Sequence, residues 1–159
     1  MKNDFNNSVK VNSKGHLEVG GCDCLELAEK YGTPLYVLDE TMIRNICREY
    51  LQSFKKYYDG NGLPLYASKA LCCMEMCRIA KQENIGLDVV SGGEIYTALK
   101  AGYPAEKIHF HGNNKTVDEI EMAVEAGVGK IVMDNLSEIQ RVNNAAEKFG
   151  KTVNASMRI

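Results

Sequence analysis

Residues 86–111 read GLDVVSGGEIYTALKAGYPAEKIHFH. A short β-rich run over 86–91 gives way to a helical pattern over 94–101, and a second β-rich run opens at Lys107. Ser91 stands three residues before Glu94, the spacing of a capping box at a helix start. Gly102 sits just past the helix end, where a left-handed residue is favoured. The stretch is one strand, one helix and the start of the next strand.

The same unit repeats outward in both directions. β-rich runs open at Leu35 (LYVLD), Leu65 (LYASKA), Gly86, Lys107, Lys130 (KIVMDN) and Val153 (VNASMRI). After a first gap of 30 residues the starts lie 21, 21, 23 and 23 apart. Apolar positions three or four apart predict helices over 42–57, 71–81, 117–126 and 137–149. Thr116 with Glu119 and Ser137 with Gln140 have capping-box spacing, and Gly127 and Gly150 fall just after helix ends. Ala98-Leu99-Lys100-Ala101-Gly102 is echoed by Ala123-Val124-Glu125-Ala126-Gly127.

Strict βα alternation predicts a parallel sheet with right-handed crossovers. A small doubly wound sheet and a (β/α)8 barrel both satisfy it, and the even spacing suits the barrel. Six of the eight strands of such a barrel are counted. The bare terminus at Met157-Arg158-Ile159 favours an incomplete α/β TIM barrel. Residues 1–30 read differently. Short strands near Val9–Val11 and 15–21 form a hairpin-like pair, followed by a short helix at 25–28. A hairpin alone is marginal in water. Residues 1–30 are therefore expected to be strands of a β-domain that this chain does not complete, and residues 31–159 a partial barrel.

Composition narrows the function classes. The 159 residues are 45% apolar and 25% charged, proportions of a globular chain rather than a disordered one. A formal charge of −2 gives no footprint for nucleic acid or an anionic membrane. No apolar run approaches a membrane span, and the polar start has no signal core, so a cytoplasmic protein is expected. The cysteines Cys22, Cys24, Cys47, Cys72, Cys73 and Cys77 then read as free thiols. Cys22-x-Cys24 lacks zinc-finger spacing, and the helical face with Cys72, Cys77, Met74 and Met76 reads as packing.

In parallel α/β folds, sites form at the carboxyl ends of the strands. Lys69 ends an apolar, small-residue strand, where burial would favour the neutral, nucleophilic amine. A lysine that snorkels from the strand end fits the same spacing equally well. Asp88 interrupts the next strand and is placed to pair with Lys69 or with a cofactor cation, or to be a satisfied core aspartate. Ser91-Gly92-Gly93-Glu94 reads as a helix cap first and an anion-binding turn second. His109 and His111 share a strand face without a third metal ligand, so no metal is expected. His111-Gly112-Asn113-Asn114-Lys115 is a candidate pocket wall, and Arg158 a candidate anion holder.

Four motifs occur in order: Tyr31-Gly32-Thr33-Pro34-Leu35-Tyr36-Val37, Tyr66-Ala67-Ser68-Lys69-Ala70, the run from Gly86 to Glu94, and His111-Gly112-Asn113-Asn114-Lys115. Together they resemble the N-terminal part of the diaminopimelate decarboxylases, a family of alanine-racemase-like, barrel-type pyridoxal-phosphate enzymes. The resemblance covers about residues 15–159. It implies that Lys69 holds pyridoxal 5'-phosphate covalently, with Asp88, His111 and Arg158 close to the cofactor. It implies decarboxylation of meso-diaminopimelate to L-lysine, in a homodimer whose site is completed by downstream segments. These 159 residues alone are accordingly expected to be inactive. Relatives often carry Asn after Lys69-Ala70, where this chain has Leu71. Decarboxylases of the same fold acting on ornithine, arginine or carboxynorspermidine remain alternatives. So do a non-catalytic relative that binds a partner and, last, a cofactor-free lysine Schiff-base barrel.

Overall fold

The computed structural model describes residues 8–159, and the chain forms two compact units, Met1–Gln52 and Ser53–Ile159. In the first unit β1 (Val9–Val11), β2 (Leu17–Val19) and β3 (Cys22–Asp23) make a three-stranded antiparallel sheet. Its β1–β2 turn is held by Asn12 Oδ1, which accepts from the backbone amides of Lys14 and His16. Asp23 ends β3 and caps α1 (Cys24–Tyr31), accepting from the Leu25 amide at 2.9 Å. The hairpin and short helix expected in this region are both present, with one further strand.

Leu35–Asp39, expected as the first barrel strand, forms no strand. A strand exists only where a neighbour takes up its amides and carbonyls. Leu35, Tyr36, Val37 and Leu38 are exposed instead, Tyr36 at 99%. Asp39 closes the segment by capping α2 (Glu40–Tyr58). Its Oδ1 accepts from the Met42 amide at 3.0 Å, and its Oδ2 accepts from Ser8 Oγ at 2.6 Å. Among the described residues no helix is long and apolar enough to cross a membrane.

The second unit holds five parallel strands rather than six, in the order β4 (Leu65–Ala67), β5 (Gly86–Val89), β6 (Ile108–Phe110), β7 (Lys130–Met133) and β8 (Ala155–Met157). Sequential order with a helix in each gap is the βα repeat read from the sequence. The helices are α3 (Met74–Gln82), α4 (Gly92–Lys100), α5 (Val117–Ala126) and α6 (Leu136–Phe149). Cys72 and Cys73 precede α3 instead of lying on it, because the chain makes a 3-10 turn at Ser68–Ala70 before the helix can start.

Period-two alternation sorts the sheet into two faces. Leu87, Val89, Ile108, Phe110 and Ile131 are fully buried and form a core with Ile95 and Ala98 of α4 and Ile120 and Ala123 of α5. The opposite face carries Ala67, Asp88, His109 and Lys130, which pair in register across four strands and are only half-buried.

Candidate active site

The carboxyl ends of β4 to β8 gather the chemistry. Each strand hands over to its helix through a capped turn, and the caps interlock. Ser91 caps α4, Thr116 caps α5 in a full capping box, and Asn135 caps α6. In each case the third helical residue is a glutamate: Glu94, Glu119 and Glu138. Each glutamate also reaches back to the preceding βα unit. Glu94 Oε2 accepts from the Val90 amide and lies 2.7 Å from Ser68 Oγ. Glu119 Oε1 accepts from the Gly92 amide at 2.8 Å. Glu138 Oε2 accepts from the Asp134 amide and pairs with Lys115 Nζ at 2.9 Å. Three carboxylates thus lace four strand ends together.

This lacing decides the Gly92-Gly93 turn. The Gly92 amide is taken by a carboxylate of the protein, so the stretch is a helix cap and not an anion cradle. Burial alone would raise the Glu119 carboxyl. The Gly92 and Thr116 donors and the nearby Lys115 charge outweigh it and hold the group below its ordinary range.

Lys69 lies in the 3-10 turn, one residue beyond Ser68 and two beyond Ala67. The turn breaks the alternation that would have put Lys69 on the strand face with Leu65 and Ala67. The side chain is exposed and makes no hydrogen bond or ion pair among the described residues. Of the two readings of Lys69, burial in the strand and a side chain that snorkels from its end, the exposed side chain fits the second. Its neighbour Ser68 is buried, with Oγ within hydrogen-bond reach of the Asp88 carbonyl oxygen as well as Glu94.

Asp88 lies directly across from Ala67 and from His109. Its Oδ1 is buried and has no hydrogen-bond partner. His111 Nε2 stands 3.7 Å away, too far for a hydrogen bond but close enough to attract as an imidazolium. The His111 amide donates to the Val89 carbonyl at 2.8 Å, which fixes the residue beside β5. His109 is held below its ordinary value, first by burial and then by the Lys130 and His111 charges, against an opposing pull from Asp88.

Arg158 follows β8. Its Nη1 pairs with Asp134 Oδ1 at 3.0 Å and its amide donates to the Met133 carbonyl, while the side chain stays 63% exposed. The structure thus brings Asp88 and His111 together at one point and places Arg158 after β8, two strands beyond β6 and three beyond β5, on Asp134. Sequence reasoning missed Glu138 and gave Asp134, at the end of the KIVMDN run, no role. The cap was expected at Ser137 with Gln140, whereas Asn135 and Glu138 make it. The same three-residue spacing, started two positions earlier, would have found the glutamate.

The cysteines take no part. None of the six is in a disulfide, and burial pushes the Cys77 thiol up to about 11, which leaves a packing group rather than a nucleophile.

Comparisons with known proteins agree with this geometry. The family described as pyridoxal-dependent decarboxylase, pyridoxal binding domain, matches residues 42–159. A diaminopimelate decarboxylase of Bacillus methanolicus is 48% identical over 158 residues, covering 98% of this chain and 36% of that protein. One from Bacillus subtilis is 50% identical over 153 residues, covering 94% and 34%. The crystal structure of a diaminopimelate decarboxylase from M. jannaschii with L-lysine superposes with a TM-score of 0.87 at 38% identity, over 96% of this chain and 36% of that one. The chain spans about a third of the length of the relatives it matches. The chain belongs to the pyridoxal-dependent decarboxylases, and residues 42–159 carry the sequence of their pyridoxal-binding domain, built on the barrel fold that the βα repeat announces.

Proposed function

We propose that this chain supplies the N-terminal part of a carboxy-lyase that converts meso-2,6-diaminopimelate to L-lysine and carbon dioxide, the last step of lysine biosynthesis. The observation that carries the reading is Asp88 Oδ1, a buried carboxylate oxygen with no hydrogen-bond partner among the described residues and with His111 Nε2 no nearer than 3.7 Å, next to the strand end that bears Lys69. An unpaired buried carboxylate oxygen is costly unless a cationic or donor group meets it. A pyridoxal group with its cationic nitrogen is such a partner, and the exposed Lys69 amine is the group to hold it covalently. The residues present therefore fit the cofactor. The names of the relatives, and the lysine in one of their crystal structures, support diaminopimelate as substrate.

When bound, pyridoxal phosphate supplies an electron sink for the pair left behind as carbon dioxide departs. The protein's part is positioning and charge. Lys69 would hold the cofactor covalently. Asp88 holds a proton-bearing or cationic centre beside it. His111 forms the wall against Asp88. Arg158, held by Asp134, would offer a planar guanidinium to an anionic group. The homodimer and the cytoplasmic setting belong to the same reading. Six cysteines without a disulfide suit a reducing compartment.

The test uses the full-length protein that carries this chain. Borohydride reduction of the cofactor-loaded protein, followed by peptide mapping, should place the label on Lys69. Label on another lysine, or no release of carbon dioxide from diaminopimelate, rejects the reading. The 159-residue chain by itself should release none.

A further inference from the structure

Lys115 and Glu138 form an ion pair with both side chains out of solvent, at 0% and 1% exposure. Burying two charges costs more than an apolar pair of the same size would, so such a pair is seldom kept for stability alone. Its connections suggest what it does. Lys115 Nζ donates to the Gly112 carbonyl and lies 5.6 Å over the Phe110 ring. Gly112 directly follows His111, and a Cβ on Gly112 would come within 2.9 Å of the Val90 carbonyl oxygen. The loop that carries His111 is thus pressed onto β5 and pinned there from below by the lysine. On the other side, Glu138 Oε2 accepts from the Asp134 amide at 3.0 Å, and Asp134 is the residue that holds Arg158. One buried pair is therefore tied to both arms of the site, His111 against Asp88 and Asp134 against Arg158.

We infer that Lys115 and Glu138 are positioning residues for cofactor binding, acting through His111 on one side and Asp134 on the other. The inference rests on the pyridoxal-phosphate reading above. The ammonium fixes the Gly112 carbonyl and so the direction of the His111 ring toward Asp88. The carboxylate fixes the start of α6 and so the Asp134 side chain. Neither residue touches the reacting atoms.

The experiment uses the full-length protein, stripped of cofactor and titrated with pyridoxal phosphate by absorbance, alongside steady-state decarboxylation. Lys115→Met should weaken cofactor binding about tenfold or more and lower kcat, because small misplacements of a site wall are amplified in function. Lys115→Met combined with Glu138→Gln removes both charges yet keeps an acceptor for the Asp134 amide. It should fold where the single variant is impaired, and still bind the cofactor weakly. In a His111→Gln background, Lys115→Met should add less than about twofold to the loss of affinity, since it acts through the same side chain. Variant affinities within about twofold of wild type, whatever the unfolding temperature, overturn the inference, as do losses that simply multiply in the His111→Gln background. A wild-type protein that takes up no pyridoxal phosphate overturns the functional reading itself. Wild-type binding with unaffected variants overturns the positioning role alone.

Discussion

Two lysines stand at the carboxyl ends of strands two units apart, and they are treated oppositely. Lys69, after β4, is exposed and unpaired among the described residues. Lys115, after β6, is sealed from solvent and met by a carboxylate, a carbonyl and an aromatic ring. A lysine that has to form and release a covalent bond needs an uncommitted, mobile side chain whose amine can give up its proton. A lysine that holds a loop needs every one of its donors committed. The difference teaches that residue type and strand-end position do not assign a role; the partner count does. Both residues looked like pocket lysines in the sequence, and only one is available for chemistry.

The largest expected effect breaks this comparison at Lys69. Lys69→Ala in the full-length enzyme should lower decarboxylation roughly a thousandfold or more, as loss of a covalent catalyst does, while leaving the unfolding temperature unchanged. Activity retained within tenfold would move the covalent role elsewhere. Lys115→Met should do the reverse to stability. Removing one partner of a buried pair leaves an uncompensated charge and costs about 3–5 kcal/mol, read as a shift in denaturant midpoint. An unchanged midpoint would mean that Glu138 is satisfied without the lysine.

How far the sequence carries depends on which forces set each feature. The βα rhythm, its five helices to within a few residues and the caps at Ser91 and Thr116 are local, written in periodicity and spacing, and they are where the reading places them. Leu35–Asp39 has the composition of a strand, but strand formation is a pairing decision that composition cannot make. Small, apolar neighbours left burial and snorkelling equally open for Lys69. The 3-10 turn at Ser68–Ala70 turns it outward, and that turn answers to Glu94, 25 residues away in sequence from Lys69. The Lys115–Glu138 pair is likewise a contact between distant residues, invisible to any window of sequence.

Between the two lysines lies the loop that Lys115 pins. Gly112 has φ of +106°, and an added Cβ would meet the Val90 carbonyl oxygen at 2.9 Å. Gly112→Ala should therefore cost about 1–3 kcal/mol through strain and crowding, and should push His111 away from Asp88. If this substitution leaves denaturant stability unaltered, the loop is looser than the register of β5 and β6 implies. Cofactor affinity should fall with it.

The smallest effect is the most diagnostic of the lacing. Glu119→Gln keeps one acceptor oxygen and gives up the charge. Since cap substitutions cost about 0.5–2 kcal/mol, the loss near neutral pH should lie in that range. The sign of its pH dependence follows from the depressed carboxyl. A group whose folded value lies below its ordinary 4.5 contributes stability that is complete above 4.5 and disappears as pH falls through the folded value. Glutamine does not titrate. The gap between wild type and Glu119→Gln should therefore be constant above about pH 5 and close as the pH falls below 4.5. A gap that stays open in acid would assign the contribution of Glu119 to its shape rather than its charge. The carboxylates that tie one βα unit to the next would then be spacers, and the ammonium of Lys115 would be left with Glu138 alone.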